Sequence, residues 1–119
     1  MPSTPAPAAP RFSIGLDTNG DGVRNGSMFV YVGSAPDFSC SLFPGAWRST
    51  GNLIGSGDLR FDTSQLGGTF YDSYANALAA YGAVAITSVS FVVDAGWAFP
   101  GGLQDVVVDD LTVNGHTLQ

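Results

Sequence analysis

RFSIGLDTNGDGVRNGSMFVYVG, residues 11–33, is the stretch that decides the fold. Its first part places Phe12, Ile14 and Leu16 at a spacing of two, which puts them on one face of a β-strand. Its last part, residues 27–33, is rich in residues that favour strands. Between them lies a run of Asp, Asn and Gly, the residues typical of turns. The stretch therefore predicts a β-hairpin.

The turn contains the pattern D-x-N-x-D-G, with which calcium-binding EF-hand loops begin. Asp17, Asn19 and Asp21 would supply the ligand oxygens. An EF-hand also needs a bidentate glutamate at its twelfth position, where this chain has Met28, and it needs flanking helices. The pattern is therefore interpreted as a hairpin turn. A weaker Ca²⁺ site on these three residues is the alternative, and no other cofactor is predicted.

The composition favours strands over helices. All ten acidic residues are Asp and all four basic residues are Arg, so the good helix formers Glu and Lys are missing, and there are 16 Gly. Further strands are predicted at residues 47–54, 59–62, 83–96, 103–113 and 117–118. The sequence thus predicts an all-β fold for residues 11–119: an antiparallel, jelly-roll-like β-sandwich of about 7–8 strands with one short helix.

The helix is predicted just after Asp72 and Ser73, either of which can cap its first turn. Gly82 is expected to end it. Its apolar stripe consists of Tyr74, Ala77, Leu78 and Tyr81, which follow the helical period.

Residues 1–10, MPSTPAPAAP, form a separate segment that holds four of the seven prolines. Proline lacks a backbone N–H, so this segment can neither form a helix nor join a central strand. It is predicted to be an extended arm. Two interpretations are open: a flexible tail, or an arm that docks on a partner subunit through Pro2, Pro5, Pro7 and Pro10.

Charge limits the partners that the chain can bind. The net charge is −6 and the pI is about 4.1, so the surface repels phosphate backbones and no nucleic acid is expected. No apolar run is long enough for a membrane span, and no secretory signal is recognisable at the N-terminus. Cys40 is the single cysteine, which excludes an internal disulfide, and it is interpreted as a buried thiol.

No catalytic constellation stands out. The single histidine, His116, is predicted in a turn close to the last residue, where a Ser-His-Asp triad would be poorly held. A pair of Asp residues could serve a glycosidase, but such pairs need a deep cleft. The chain is therefore predicted not to be an enzyme.

Aromatic residues in and beside the predicted loops offer a second functional interpretation. Loops often carry binding residues, and aromatic rings could form a platform for a sugar. The competing interpretation is that the rings fill the core and the ends of the sandwich. The candidates for glycan binding are Trp47, Trp97 and Phe99, with Tyr71 and Phe43 nearby.

The order of these motifs resembles a known group of domains. A D-x-N-G-D-G-x-x-N-G turn is followed by FVYVG, a Trp-containing strand, a helix ending in AAYG, then ITSVSFVVDAGW and VVVDDLTVNG. Over residues 12–118 this is similar to the C-terminal portion of galactose-binding-like jelly-roll domains of secreted actinobacterial proteins and related phage proteins. The resemblance implies a non-catalytic role in adhesion or binding. Those domains carry further N-terminal strands, which the proline-rich arm replaces here, so an open edge is expected for a neighbouring subunit to cover.

These features predict a structural or interaction protein. The concrete form is a phage virion-surface protein, either a capsid decoration or a head-attachment subunit, that docks through its arm on capsid subunits or on copies of itself. The alternative is an extracellular carbohydrate-binding or adhesion module that uses the loop aromatics.

Overall fold

A computed structural model describes residues 10–33, 38 and 49–92, together with the backbone of residues 111–113 and 116–118. Most of the regular structure in these residues is strand. The strands are β1 (Arg11–Asp17), β2 (Gly26–Tyr31), β3 (Phe61–Asp62), β4 (Ala85–Val92), β5 (Leu111–Val113) and β6 (His116–Leu118), and the helix α1 is Tyr74–Tyr81. Two 3₁₀ turns, Leu53–Ser56 and Ser64–Leu66, flank β3.

The first four strands form one antiparallel sheet with the order β3-β2-β1-β4. β1 and β2 are joined by the Asp- and Gly-rich turn, with Phe12 opposite Val30 and Ile14 opposite Met28. The predicted hairpin is therefore confirmed. β5 and β6 pair with each other in a separate two-stranded sheet. The architecture in the described residues is a mostly β fold with one α-helix, as the composition predicts.

One face of the sheet carries the larger apolar cluster. Val30 and Phe61 are buried at its centre, and Ala77 from α1 packs on them. Phe12 and Ile14 from β1 pack against the same cluster, as their period-two spacing predicts. The α-helix thus covers the β2–β3 half of this face.

Helix α1 begins and ends where the sequence predicts. Ser73 is the N-cap, and its hydroxyl accepts a hydrogen bond from the N–H of Asn76 at 3.1 Å. Gly82 is the C-cap, in a right-handed conformation rather than the left-handed one common for glycine there. The predicted stripe is narrower than expected, because Ala77 is buried whereas Leu78 is 51% exposed.

The strand predicted at residues 47–54 is wrong for the part that the structure describes. Leu53–Ser56 is a 3₁₀ turn, and the side chain of Asn52 accepts a hydrogen bond from the N–H of Ile54 at 3.0 Å. This local bond holds the backbone in a turn, which competes with strand pairing. The strand predicted at residues 59–62 is shortened to Phe61–Asp62.

Several predicted features lie outside the described residues. They include residues 1–9 of the arm, Cys40, Trp47, Trp97, Phe99 and most of the strand predicted at residues 103–113, of which only the backbone of Leu111–Val113 is described. Among the described residues, no helix has the length and apolar character needed to cross a membrane.

Candidate functional site

The turn between β1 and β2 is built around the carboxylate of Asp17. Its Oδ1 accepts hydrogen bonds from the N–H groups of Asn19, Gly20 and Asp21 at 3.2, 2.7 and 3.2 Å. Its Oδ2 accepts one from the N–H of Gly22 at 2.7 Å. The bond from Gly22 is the largest of the effects that lower the pKa of Asp17, because backbone donors stabilise the charged carboxylate. The carboxylate thus satisfies four amides that would otherwise need water.

The other two predicted ligands also bind amides of the loop. Asn19 Oδ1 accepts a hydrogen bond from the N–H of Asp21 at 3.3 Å, and Asp21 Oδ1 accepts one from the N–H of Val23 at 2.9 Å. These are Asx turns, in which a short polar side chain replaces a backbone acceptor. Gly20 and Gly22 have φ angles of 80° and 84°, which other residues rarely adopt.

Asn25 closes the turn from its far side. Its N–H donates to the carbonyl of Leu16 at 2.8 Å, and its Oδ1 accepts hydrogen bonds from the N–H and the hydroxyl of Thr18 at 2.7 and 3.0 Å. The structure therefore brings the three predicted ligands into one loop and gives each of them a role in holding the hairpin. No group of three or more His, Cys, Asp or Glu within the described residues is arranged to hold a metal. The Ca²⁺ alternative stays a prediction.

A buried arginine organises a second polar cluster at the other end of β2. The side chain of Arg60 is 7% exposed, and its Nε and Nη2 donate to the two carboxylate oxygens of Asp58, each at 2.6 Å. Its Nη1 donates to the carbonyls of Tyr31, Gly33 and Val32 at 2.7, 3.2 and 3.3 Å. The hydrogen bond from Arg60 is the main reason why the pKa of Asp58 is lowered.

Tyr31 and Asp62 form the neighbouring part of this cluster. The Tyr31 hydroxyl donates to Asp62 Oδ2 at 2.9 Å, and Asp62 Oδ1 accepts hydrogen bonds from the N–H and the hydroxyl of Ser64 at 2.9 and 2.6 Å. Burial, followed by the hydrogen bond to Asp62, raises the pKa of Tyr31. Tyr31 therefore stays protonated and acts as a donor rather than as a base.

Aromatic rings enclose the same cluster. The rings of Tyr31 and Phe38 are stacked at 5.7 Å with an interplanar angle of 12°, and Arg60 lies 5.4 Å from the centre of the Phe38 ring. Tyr71, a candidate for the sugar platform, packs against Phe38 at 6.0 Å. Its half-buried ring belongs to the core. This favours the packing interpretation for Tyr71.

Sequence reasoning missed the cluster around Arg60. Its acceptors lie 27 to 29 residues away along the chain, so no local pattern connects them. The only local signal is the Asp58-x-Arg60 spacing, which is too common to indicate a buried ion pair.

The proline-rich arm has one described residue, Pro10. Pro10 is fully buried, and its carbonyl accepts a hydrogen bond from the N–H of Val32 at 3.0 Å. This bond continues the pairing of β1 with β2 by one residue beyond Arg11 and Tyr31. The arm therefore leaves the domain from a fixed point.

Comparisons of the chain with models of protein families, with curated proteins and with solved structures give no match. The resemblance to galactose-binding-like jelly-roll domains stays a prediction. Function is therefore argued from the residues and contacts of this chain alone.

Proposed function

We propose that this chain is a non-enzymatic structural protein of a phage virion surface, a capsid decoration or head-attachment subunit that docks through its N-terminal arm. The observation that carries the proposal is the anchoring of Pro10. A buried residue with a hydrogen bond to β2 fixes the point from which the arm starts. An arm that starts from a fixed point loses less conformational entropy on docking than one joined through a flexible linker.

The composition of the arm suits docking on a protein surface. Residues 1–9 contain no charged side chain, and proline restricts their backbone. In the extended polyproline conformation these nine residues reach about 28 Å, at about 3.1 Å per residue. A stiff, apolar segment of this length can lie across a neighbouring subunit, and its cost of ordering is low.

We further propose that the four-stranded sheet is one layer of the jelly-roll-like sandwich of about seven or eight strands. The support is the apolar face that α1 covers only over β2 and β3. On the β1–β4 half of that face, Ile86 is 62% exposed and Val89 is 42% exposed. A second layer that includes β5 and β6 would bury these side chains. Protection of backbone amides against hydrogen exchange in residues 103–108 would support this layer, and fast exchange there would contradict it.

Deleting residues 2–9 from the gene in a phage that encodes this chain tests the arm. Met1 and Pro10 are kept, so the anchor at Val32 is intact and the domain should melt at the temperature of the full chain. We expect the number of copies in purified particles to fall at least tenfold. A chain in which residues 2–9 are replaced by Gly and Ser at equal length separates the effect of proline from that of length. Full incorporation of the deleted chain would contradict the proposal.

A further inference from the structure

The two edges of the four-stranded sheet differ in length and in charge. β3 has only two residues, and Phe61 in it also bridges to Asp72 on the outer side. Charged residues surround this edge, with Asp58, Arg60 and Asp62 in five positions. Short, charged and covered edges are how proteins prevent strands of other chains from adding to a sheet. The β3 edge is therefore protected.

The β4 edge has none of this protection. β4 has eight residues, AITSVSFV, with no charge and no proline. Among the described residues it pairs with β1 and with no other strand. Six of its eight residues are exposed, and only Phe91 and Val92 are half-buried. A long, uncharged edge is a template for pairing with another strand.

β4 presents a different set of side chains on each face of the sheet. Val89 and Phe91 are opposite Ile14 and Phe12, so they lie on the apolar face. Ser88, Ser90 and Val92 are opposite Gly15, Ser13 and Arg11, so they lie on the other face. The register with β1 shifts between Gly15 and Leu16, which leaves Ser88–Val92 as the regular part of the strand. Ser90 is the centre of this regular part.

We propose that a second copy of this chain pairs with the β4 edge, antiparallel, across a twofold axis at Ser90. In this register Ser90 faces Ser90 of the other copy, and Ser88 faces Val92. Val89 faces Phe91 twice, on the apolar face, and a pair of a β-branched and an aromatic residue opposite each other is favourable in sheets. Every pair joins residues of the same face, so the two sheets continue as one sheet of eight strands.

Charge favours this contact over others between two copies. The chain carries a net charge of −6, so two copies repel each other over most of their surface. Residues 83–93 contain no charged side chain. The β4 edge is therefore a place where two copies can meet without placing like charges opposite each other. The inference does not depend on the arm or on a virion role, and a test of β4 leaves the arm unchanged.

Disulfide cross-linking tests the register. Cys40 is first replaced by serine, so that an introduced cysteine is the only one in the chain. At the proposed axis the two Ser90 Cα atoms are about 4.5–5.5 Å apart, which a disulfide can span. We expect Ser90→Cys to form a covalent dimer under mild oxidation. Ser88→Cys is the matched control on the same face of the same strand, and its two copies would be about 13 Å apart along the strand direction.

Charge reversal of the contact gives an independent measurement. We expect the unmodified chain to sediment at twice its mass of 12.3 kDa at high concentration. Ser90→Lys places two like charges opposite each other and should raise the dimer dissociation constant about tenfold or more. Ala80→Lys, on the exposed side of α1, changes the net charge equally and should leave the constant unchanged.

Two results would overturn the inference. One is a monomer at every concentration, combined with Ser90→Cys cross-linking no faster than Ser88→Cys. The other is strong protection of the β4 amides in that monomer, which would show that the chain's own residues occupy the edge.

Discussion

The N–H of Gly22 donates to Oδ2 of Asp17 across 2.7 Å, while three other amides of the turn donate to Oδ1. One carboxylate thus organises the loop that joins β1 to β2. The residue that most resembles a metal ligand in the sequence has a structural role in this hairpin.

Asp17→Asn should destabilise the protein at pH 7, because the new amide group brings two donors to a position that needs acceptors. Urea unfolding should show a lower midpoint than that of the unmodified chain. Asp21→Asn is the matched control, because Asp21 is exposed and its carboxylate accepts a bond only from Val23. Equal midpoints for the two variants would contradict the role assigned to Asp17.

The stabilisation by Asp17 should also depend on pH. Its pKa is lowered in the folded state from the usual 3.8, so its contribution is present above pH 3.8 and is lost as the pH falls through the folded value. The difference in stability between the unmodified chain and Asp17→Asn should therefore shrink below pH 3.8. A constant difference down to pH 2, measured by thermal unfolding, would contradict this pKa shift.

Calcium titration distinguishes the turn from a metal site. Since each of Asp17, Asn19 and Asp21 already accepts backbone amides, we expect millimolar Ca²⁺ to leave the melting temperature unchanged and to release no heat of binding. The comparison is with Asp17→Ala under the same conditions. A rise in melting temperature that disappears in Asp17→Ala would establish a bound ion instead.

Arg60→Ala should cost about 3–5 kcal/mol of unfolding free energy, because it leaves Asp58 and the carbonyls of Tyr31, Val32 and Gly33 without their donor. Urea unfolding measures this loss. The control is Arg24→Ala, since Arg24 is exposed and its Nη1 contacts only the hydroxyl of Ser27 among the contacts described. We expect the control to cost less than about 1 kcal/mol. A similar cost for the two variants would contradict the importance of the buried cluster.

Tyr31 should resist ionisation in alkaline solution. Its pKa is raised above 10.0 in the folded state, so its stabilising bond to Asp62 is fully present below pH 10 and is lost as the pH rises further. In an absorbance titration, one of the four tyrosines should ionise only at higher pH or with unfolding. Tyr31→Phe should remove this late component. A titration in which all four tyrosines ionise together near pH 10 would be evidence against it.

The carbohydrate alternative predicts binding through Trp47, Trp97 and Phe99. If the chain is a structural subunit, a glycan array probed with the full chain should give no signal. Binding that Trp47→Ala or Trp97→Ala abolishes, in variants that melt normally, would favour the alternative.

The elements that the sequence predicted well are those with local signals. The period-two spacing of Phe12, Ile14 and Leu16 and the turn residues after them are sufficient to predict the hairpin. The cap at Ser73 and the glycine at position 82 mark the ends of α1. In each case the interactions that determine the element lie within a few residues of each other.

The features that the sequence could not predict depend on distant contacts or on a competing local bond. The cluster of Arg60 with the end of β2 connects residues about thirty positions apart, which no short pattern encodes. The exposure of β4 is equally hidden, because its apolar residues predict burial whereas its place at the edge of the sheet determines it. At residues 49–54 the side-chain bond of Asn52 outweighs the strand preference.

The central claim, that the arm docks on another protein chain, is tested most directly by photo-cross-linking inside the assembled particle. A photoreactive amino acid replaces Ala6, in the middle of the arm, and a second variant carries it at Ala80, on the exposed side of α1. Mass spectrometry then identifies the attached peptides. We expect the Ala6 position to cross-link to a different protein chain, with a yield well above that at Ala80. Cross-links from Ala6 only to peptides of its own chain, or none above the Ala80 control, would contradict the account.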